Sequence, residues 1–425
     1  MKALAVFFLS VSAVYAEVHV LTLEQALARA LDQNPDVMLT RLDQQKARNQ
    51  VTIAGDPFSP KLGIGTGLAY TNGMPTTIDG NAPSIFQMRA NMSLFNQPQK
   101  YKIAQANEGV RGATLDITLR QEDVAYRVTA AFLDAENAAH SAAATRLQTT
   151  SLEEVQRLIE TRLAAGQELP LALTRARVNS RHARSDYEEF SSLQTTSELQ
   201  LAQLLGYPGG DQVRPAMEAR EPQAMPASEE EAVTRVIEQS TELRRLRSNL
   251  NATLLEMKSY KAERLPKLNL VFQEMVLTKF NNYDTYFPRF QRNNFQIGAS
   301  IEVPIFMGHA AKAYVSQAQM DADKTRIEIQ RTQSRITVDV RQAYADLARA
   351  ESKRELSNDE LELTREELSV LLKQQVEGRA TMAQIEAARA AEQVQWIAYY
   401  AAQRTLELAR LNVRKNTGTL LASSR

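Results

Sequence analysis

The chain has 425 residues, more than a single hydrophobic core usually serves, and its 50 Lys and Arg offset its 50 Asp and Glu to a formal net charge of zero. That balance gives no sign of a nucleic acid or acidic partner. Cysteine is absent and the four histidines (His19, His140, His182, His309) are scattered, which excludes disulfides, thiolate metal sites and a lipidated N-terminal cysteine and leaves no metal or cofactor spacing. Each histidine is expected on a solvated or helical surface.

Met1–Ala16 reads as a secretory signal: Lys2, an apolar run Ala3–Val14, then the small-residue site Val14-Tyr15-Ala16. The run is too short to span a bilayer, and no later stretch reaches the ~18 apolar residues a transmembrane helix needs. A secreted chain without a membrane-crossing helix is expected.

Thr22-Leu-Glu-Gln25 has the form of a capping box. Ala26, Leu27, Ala30, Leu31, Val37 and Leu42 follow it in near-helical rhythm. Ser228-Glu-Glu-Glu231 repeats the plan, followed by Ala232, Val233, Val236, Ile237, Leu243 and Leu246. Pro60-Lys-Leu and Pro266-Lys-Leu, Phe86-Gln and Phe295-Gln, Gln105-Ala and Gln317-Ala, and Gly166 and Gly378 keep nearly the same offset. Duplication with small insertions accounts for it. Residues 1–16 are then the signal, 17–206 a first repeat, 207–227 a Pro- and Gly-rich linker, 228–417 a second repeat and 418–425 a tail.

Each repeat reads as helix, two strands, a very long helix, a turn at Gly166 or Gly378, and a second long helix. Strands are expected at about 61–70, 85–95, 267–277 and 294–304. In Phe86–Leu94, apolar Phe86, Met88, Ala90, Met92 and Leu94 alternate with Gln87, Arg89, Asn91 and Ser93. In Phe295–Val303, apolar Phe295, Ile297, Ala299, Ile301 and Val303 alternate with Gln296, Gly298, Ser300 and Glu302. Period two over about nine residues is enough for a tilted strand to cross a membrane. Leu62, Ile64, Leu68 and Tyr70 alternate with Gly63, Gly65, Gly67 and Ala69; about Leu268–Val276 is a fourth strand, whose apolar face Glu274 interrupts. The Gly63-x-Gly65-x-Gly67 run lacks a phosphate-loop fingerprint and reads as small strand residues. Gly73–Ser84 reads as a loop. Between the last two strands, Phe280, Tyr283, Tyr286, Phe287 and Phe290 suit an interfacial girdle.

The long helical runs are expected at about Gln99–Leu163 and Ala310–Glu377. The second lacks Gly and Pro and sets Val315, Ala322, Ile329, Ile336, Ala343 and Ala350 at a seven-residue rhythm, with Ala318, Thr325, Thr332, Val340 and Leu347 beside them. At ~1.5 Å per residue it would reach about 100 Å. A stripe so rich in Ala and Thr suits either a plain antiparallel coiled coil or the wall of a helical tube.

Four strands cannot close a barrel, and an open sheet edge in lipid leaves backbone groups unsatisfied at several kcal/mol each. Chains must therefore share a barrel. Two would make eight strands, filled by side chains; three would make twelve, with room for water. The polar faces (Gln87, Arg89, Asn91, Gln296, Ser300, Glu302) favour the wet option and are expected to line a lumen, while Met88 and Ile297 face lipid. A short outer-membrane barrel continued by a helical conduit follows. The competing reading is a periplasmic coiled-coil scaffold without a channel. No catalytic motif appears, so no enzyme is expected.

With these features together, the chain resembles the TolC family of outer membrane efflux proteins over about Leu21–Leu420. The likeness is carried by Leu21-Thr-Leu-Glu-Gln-Ala-Leu27 with Asn34-Pro35, the two strand pairs, Ser93-Leu-Phe-Asn96, Val303-Pro-Ile-Phe-Met-Gly308, and the turns at Gly166 and Gly378. The resemblance implies a fold that is mixed α and β, mostly α: a homotrimer with a twelve-stranded transmembrane β-barrel, a long periplasmic α-barrel and an equatorial region, in the outer membrane of a Gram-negative-type bacterium. It implies a passive duct that docks with a periplasmic adaptor (membrane fusion) protein and an inner-membrane transporter. The docking tips would be Ala164, Ala165, Gly166 and Gln167 with Gly378, Arg379 and Ala380. Relatives often close the periplasmic end with acidic residues just past the second turn; here the matching positions are Gln384 and Ala387, and Gln384 and nearby Glu386 are the constriction candidates.

Overall fold

The computed structural model describes residues 17–68, 83–217, 228–278, 291–306 and 308–421. The signal segment, Tyr70, most of the Gly73–Ser84 loop, the five loop aromatics from Phe280 to Phe290, Met307 and the end of the linker lie outside these residues.

Strand β1 (Val18–Leu21) leads into α1 (Leu23–Gln33) and α2 (Pro35–Gly55). Thr22 caps α1 with a complete reciprocal box, its hydroxyl accepting from the Gln25 N–H at 3.3 Å while the Gln25 side chain accepts from the Thr22 N–H at 3.1 Å. The expected single helix breaks at Asn34, which takes an extended conformation because the proline after it disfavours αR. The Asn34 amide donates to the Leu204 carbonyl at 2.7 Å, and its oxygen accepts from the Asp36 N–H at 2.9 Å. The second repeat breaks at the equivalent place without a proline: Ser240 separates α5 (Glu229–Gln239) from α6 (Thr241–Ala262). Ser228 caps α5 in one direction, accepting from the Glu231 N–H at 3.2 Å.

Four strands make one antiparallel sheet in the order β2–β3–β5–β6, with β2 Lys61–Gly67, β3 Ser84–Phe95, β5 Lys267–Leu277 and β6 Asn293–Glu302. Two strand ends differ from expectation. β2 stops at Gly67, and β6 stops before Val303, since Pro304 offers no N–H to continue the ladder. A fifth and a sixth strand were not expected at all: β1 pairs in parallel with β4 (Gln212–Pro215), inside the stretch read as linker.

The long helices are α3 (Gln97–Ala164), α4 (Pro170–Leu204), α7 (Ala310–Val376) and α8 (Met382–Asn416). Gly109 and Gly112 lie inside α3 without interrupting it. The chain folds as two compact units that do not follow the two repeats. One takes residues up to Thr40, Ile117–Thr241 and everything from Gln333; the other takes Arg41–Asp116 and Glu242–Thr332.

In the first unit the helices lie side by side in the order α4, α3, α8, α7. Arg177 and Arg184 of α4 pair with Glu160 and Glu153 of α3, each at 3.3 Å. Arg404 of α8 pairs with Asp134 of α3, and His140 of α3 stacks on Tyr400 of α8 at 4.6 Å between centroids. Across α7 and α8, Ala343, Leu347 and Ala350 pack on Leu406, Ala409 and Val413. Ala26, Ala30, Val37, Val124, Val128, Phe132, Leu201 and Val213 form the core where α1, the start of α2, α3, α4 and β4 meet. Glu198, 1% exposed, is gripped by both the Nε and an Nη of Arg214 at 2.9 and 3.3 Å, tying α4 to β4. Gly206 follows α4 at φ +73°, and a Cβ there would stand 2.7 Å from the Gln33 carbonyl oxygen, so both conformation and space require glycine.

The second unit repeats the side-by-side plan with α2, α3, α6 and α7. Gln44 donates to Thr114 at 2.7 Å, Arg245 pairs with Asp116 at 2.8 Å, and Tyr260 stacks on Tyr314 at 5.2 Å. The seven-residue stripe of α7 is buried along both units at Ala318, Ala322, Thr325, Thr332, Ile336, Val340, Ala343, Leu347 and Ala350.

His19 overturns the expectation of solvated histidines. It sits in β1 with its Nε2 3.4 Å from Asp211 and its ring stacked on Tyr207 at 4.3 Å, while Arg29 covers that tyrosine at 3.7 Å.

Candidate functional site

Pairing register sorts the sheet residues onto two faces, since directly opposed residues share a side. One face carries the rows Leu268–Ile301, Met92–Leu270–Ala299, Leu62–Ala90–Phe272–Ile297, Ile64–Met88–Glu274–Phe295 and Phe86–Val276–Asn293. The other carries Lys267–Glu302, Ser93–Asn269–Ser300, Lys61–Asn91–Val271–Gly298, Gly63–Arg89–Gln273–Gln296 and Gly65–Gln87–Met275–Asn294. Gln87, Arg89, Asn91, Gln296, Ser300 and Glu302 are therefore brought together on one side of one sheet. Met88 and Ile297 lie on the opposite side.

The apolar face is uncovered: Leu62, Ile64, Phe295, Ile297 and Ile301 are each at least 64% exposed. Soluble proteins rarely leave so many large apolar side chains of one sheet face in water. Among the described residues, the outer strands β2 and β6 also present unpaired edges. No helix among the described residues is long and apolar enough to cross a membrane, so the sheet is the part of the described chain suited to lipid.

The two helix turns share one geometry. Gly166 and Gly378 both have φ +73°. The Gly166 N–H donates to Leu163 at 2.9 Å and the Gln167 N–H to Arg162 at 2.8 Å; the Gly378 N–H donates to Gln375 at 2.9 Å and the Arg379 N–H to Gln374 at 2.8 Å. Each is a Schellman turn closed by a left-handed glycine. Pro170 takes the first position of α4. Ala164, Ala165 and Ala380 are small beside Gln167 and Arg379, and Leu169 and Val376 stand exposed close by. Just inside the second turn, Arg365, Leu368, Leu372 and Val376 of α7 and Glu392 of α8 line a shallow groove.

The two constriction candidates fare differently. Gln384 completes a capping box with Thr381: its side-chain oxygen accepts from the Thr381 N–H at 2.8 Å, and the Thr381 hydroxyl accepts from the Gln384 N–H at 3.3 Å. The Thr-x-x-Gln spacing that signals this cap is present in the sequence. Glu386 is half-buried, one of its oxygens has no hydrogen-bond partner, and burial raises its pKa, the Arg389 charge opposing this more weakly.

A second stripe on α7 also escaped sequence reading. Leu356, Leu363 and Val370 repeat every seven residues and are each at least half exposed. They form a seam that nothing among the described residues covers.

The pattern of outer membrane efflux proteins matches residues 26–207 and 232–419. The chain belongs to that family. It is therefore an outer membrane efflux protein of the TolC type, located in the cell outer membrane with a large periplasmic part. The outer membrane efflux protein BepC of Brucella suis is 21% identical over 331 residues, which is 77% of this chain and 70% of BepC. The fold is that of the Campylobacter jejuni outer membrane channel CmeC, with a TM-score of 0.76 and 16% identity over 93% of this chain and 85% of CmeC. It is equally that of VceC from Vibrio cholerae, with a TM-score of 0.71 and 13% identity over 93% of this chain and 96% of VceC. Family and fold together favour an efflux duct over a periplasmic scaffold.

Proposed function

We propose that this efflux protein is the passive outer-membrane duct of a tripartite system, built from three copies. The observation that carries it is the four-stranded sheet with one apolar face uncovered and two open edges. Three such sheets pair β6 to β2 of the next copy, remove every edge, and close a twelve-stranded barrel around the polar face. Gln87, Arg89, Asn91, Gln296, Ser300 and Glu302 line its lumen; Met88 and Ile297 face lipid. The uncovered Leu356, Leu363 and Val370 seam supports contact between copies along the helices as well. The signal 1–16, the repeats 17–206 and 228–417, the joint 207–227 and the tail 418–425 remain the proposed organisation of the chain.

The turns Ala164–Gln167 and Gly378–Ala380 dock a helical periplasmic adaptor, which couples the duct to an inner-membrane transporter. Small crests and the adjacent apolar groove support this. Glu386 and, less directly, Gln384 line the periplasmic constriction. The duct carries no catalysis of its own.

Mass measurement of the detergent-extracted protein tests the assembly: a trimer is expected, and a monomer or dimer refutes the shared barrel. Gly166→Pro and Gly378→Pro test the docking. Proline cannot take φ +73° and removes the N–H that closes the turn. Each variant should insert and assemble normally yet lose export; full export at normal protein levels refutes the docking role.

A further inference from the structure

Glu17, the first described residue, is held in place by the partner of β1. Its carbonyl accepts from the Gln212 N–H at 2.9 Å, and Val18, His19, Val20 and Leu21 stand opposite Gln212, Val213, Arg214 and Pro215. The Glu17 nitrogen thereby lies 3.2 Å from Asp211 Oδ1, to which it donates. The other carboxylate oxygen, Oδ2, faces His19 Nε2 at 3.4 Å, and the His19 ring stacks on Tyr207, which Arg29 covers.

Asp211 is 8% exposed. A buried carboxylate is costly without a charged partner or several hydrogen bonds. Among the described residues the cation paired with it is His19, which is charged only when protonated. A neutral Glu17 amide adds one proton and no charge. The site is therefore short of a fixed positive charge. The closer of its two side-chain partners is a main-chain nitrogen immediately after the small-residue site Val14-Tyr15-Ala16.

We propose that Asp211 is the socket for the N-terminus created when the signal is removed, so that processing completes an ion pair that the precursor lacks. The inference rests on the reading of residues 1–16 as a signal. Hydrolysis of the Ala16–Glu17 peptide bond consumes one water; Ala16 leaves with a carboxylate, and the acid proton passes to the Glu17 amine. An α-amine ordinarily titrates at about 7.7–8.0, so the new terminus is an ammonium at pH 7. The nitrogen need not move, because the ladder from Glu17 to Leu21 fixes it against Asp211. One neutral donor becomes three charged ones, and charge-assisted hydrogen bonds are roughly twice as strong as neutral ones. The consequence is a latch. β1 and β4 have four residues each, a two-stranded pair that is marginal by itself. The ammonium closes it at its first rung in the mature chain alone.

The charge on the terminus can be read by acylation, since only the unprotonated amine reacts. The full-length protein is purified from outer membranes, and the mass of its N-terminal peptide fixes the first residue. Brief treatment at pH 7 with the N-hydroxysuccinimide ester of acetic acid then gives the rate at that terminus. A carboxylate partner favours the charged form and slows the reaction. Asp211→Asn, which keeps an acceptor oxygen in the side chain, should speed Glu17 acylation about ten-fold, the change in free amine for one pKa unit; lysines of the same chain should react as before. A glycine inserted between Ala16 and Glu17 separates charge from exposure. It moves the ammonium by about 3.3 Å along the chain, and its acylation should be the same with and without Asp211→Asn. Equal Glu17 rates with and without Asp211→Asn overturn the latch and leave the signal reading standing. An equal gain in the glycine-extended chain does the same, because exposure alone then explains it. A chain that begins at a residue other than Glu17 overturns both.

Discussion

Ile297→Lys should cost the assembled protein about 2–4 kcal/mol per chain, the range for a lysine on the lipid face at the bilayer midplane. The apolar rows run from Leu268 to Val276 on β5, about 27 Å along the strand and, at a tilt near 40°, about 20 Å along the bilayer normal. Ile297 stands in the third of the five rows and hence near the centre of the band. Ile301, in the row nearest the helices, should tolerate lysine at about 0–1 kcal/mol because its ammonium reaches the interface. Gln296→Lys, one residue from Ile297 but on the polar face, should change stability by under about 1 kcal/mol. The assay is urea-induced loss of the folded oligomer from lipid vesicles, with the three variants compared at one protein concentration. Equal losses for Ile297→Lys and Gln296→Lys would refute the assignment of faces. Equal losses for Ile297→Lys and Ile301→Lys would refute the depth.

Three further outcomes follow from individual contacts. Met88→Lys should cost up to about 1 kcal/mol less than Ile297→Lys, because Glu274 lies directly opposite Met88 and would pair with the new charge; the same vesicle assay reads the difference, which Glu274→Gln should abolish. Gly206→Ala should destabilise by at least about 2 kcal/mol, a left-handed penalty of roughly 1–2 kcal/mol joined by the clash with the Gln33 carbonyl. Gly166→Ala, with open space around it, should incur the first penalty alone, and comparative thermal unfolding separates them. Burial raises the pKa of Glu386, so the folded chain holds that proton more tightly than the unfolded chain, and the stabilisation present at low pH is lost as pH rises through the raised value. Glu386→Gln should therefore raise the melting temperature at pH 7.5 and leave it unchanged at pH 4; an equal shift at both would refute the burial argument.

Much of the architecture was legible because its periodicities are long. Nine residues of strict alternation from Phe295 to Val303 and eleven spaced positions along α7 average out local noise, and their period separates strand from helix. Gly166 and Gly378 were legible as turns because a left-handed residue between two polar helices has few other uses. What escaped reading is short or depends on contact. β1 and β4 are four residues each and exist only by pairing across nearly two hundred positions. The break at Ser240 has no proline to announce it. His19 looked solvated because its partner, Asp211, and its stacking ring, Tyr207, come from the stretch read as linker, nearly two hundred positions away. Asp56 lies near Lys61 and Glu263 near Lys267 in the chain, yet the alternation could not show that these carboxylates pair with the lysines of the polar face.

The central seam of the sheet has a consequence for biogenesis. β3 leaves the ribosome joined to β2 as a hairpin, but its other edge pairs with β5, which is encoded roughly 170 residues later. At a synthesis rate of about 5–20 residues per second, that partner lags by some 10–35 s. Throughout the delay the nascent chain exposes Met88, Met92 and Phe86 beside an unpaired strand edge, the combination most prone to pairing with a stranger. Neither repeat can shield it by folding alone, because β3 completes its pairing only on β5 of the second repeat. Shielding during export must therefore come from outside the chain, and any slowing of synthesis between Phe95 and Lys267 lengthens the interval in which misassembly competes with maturation.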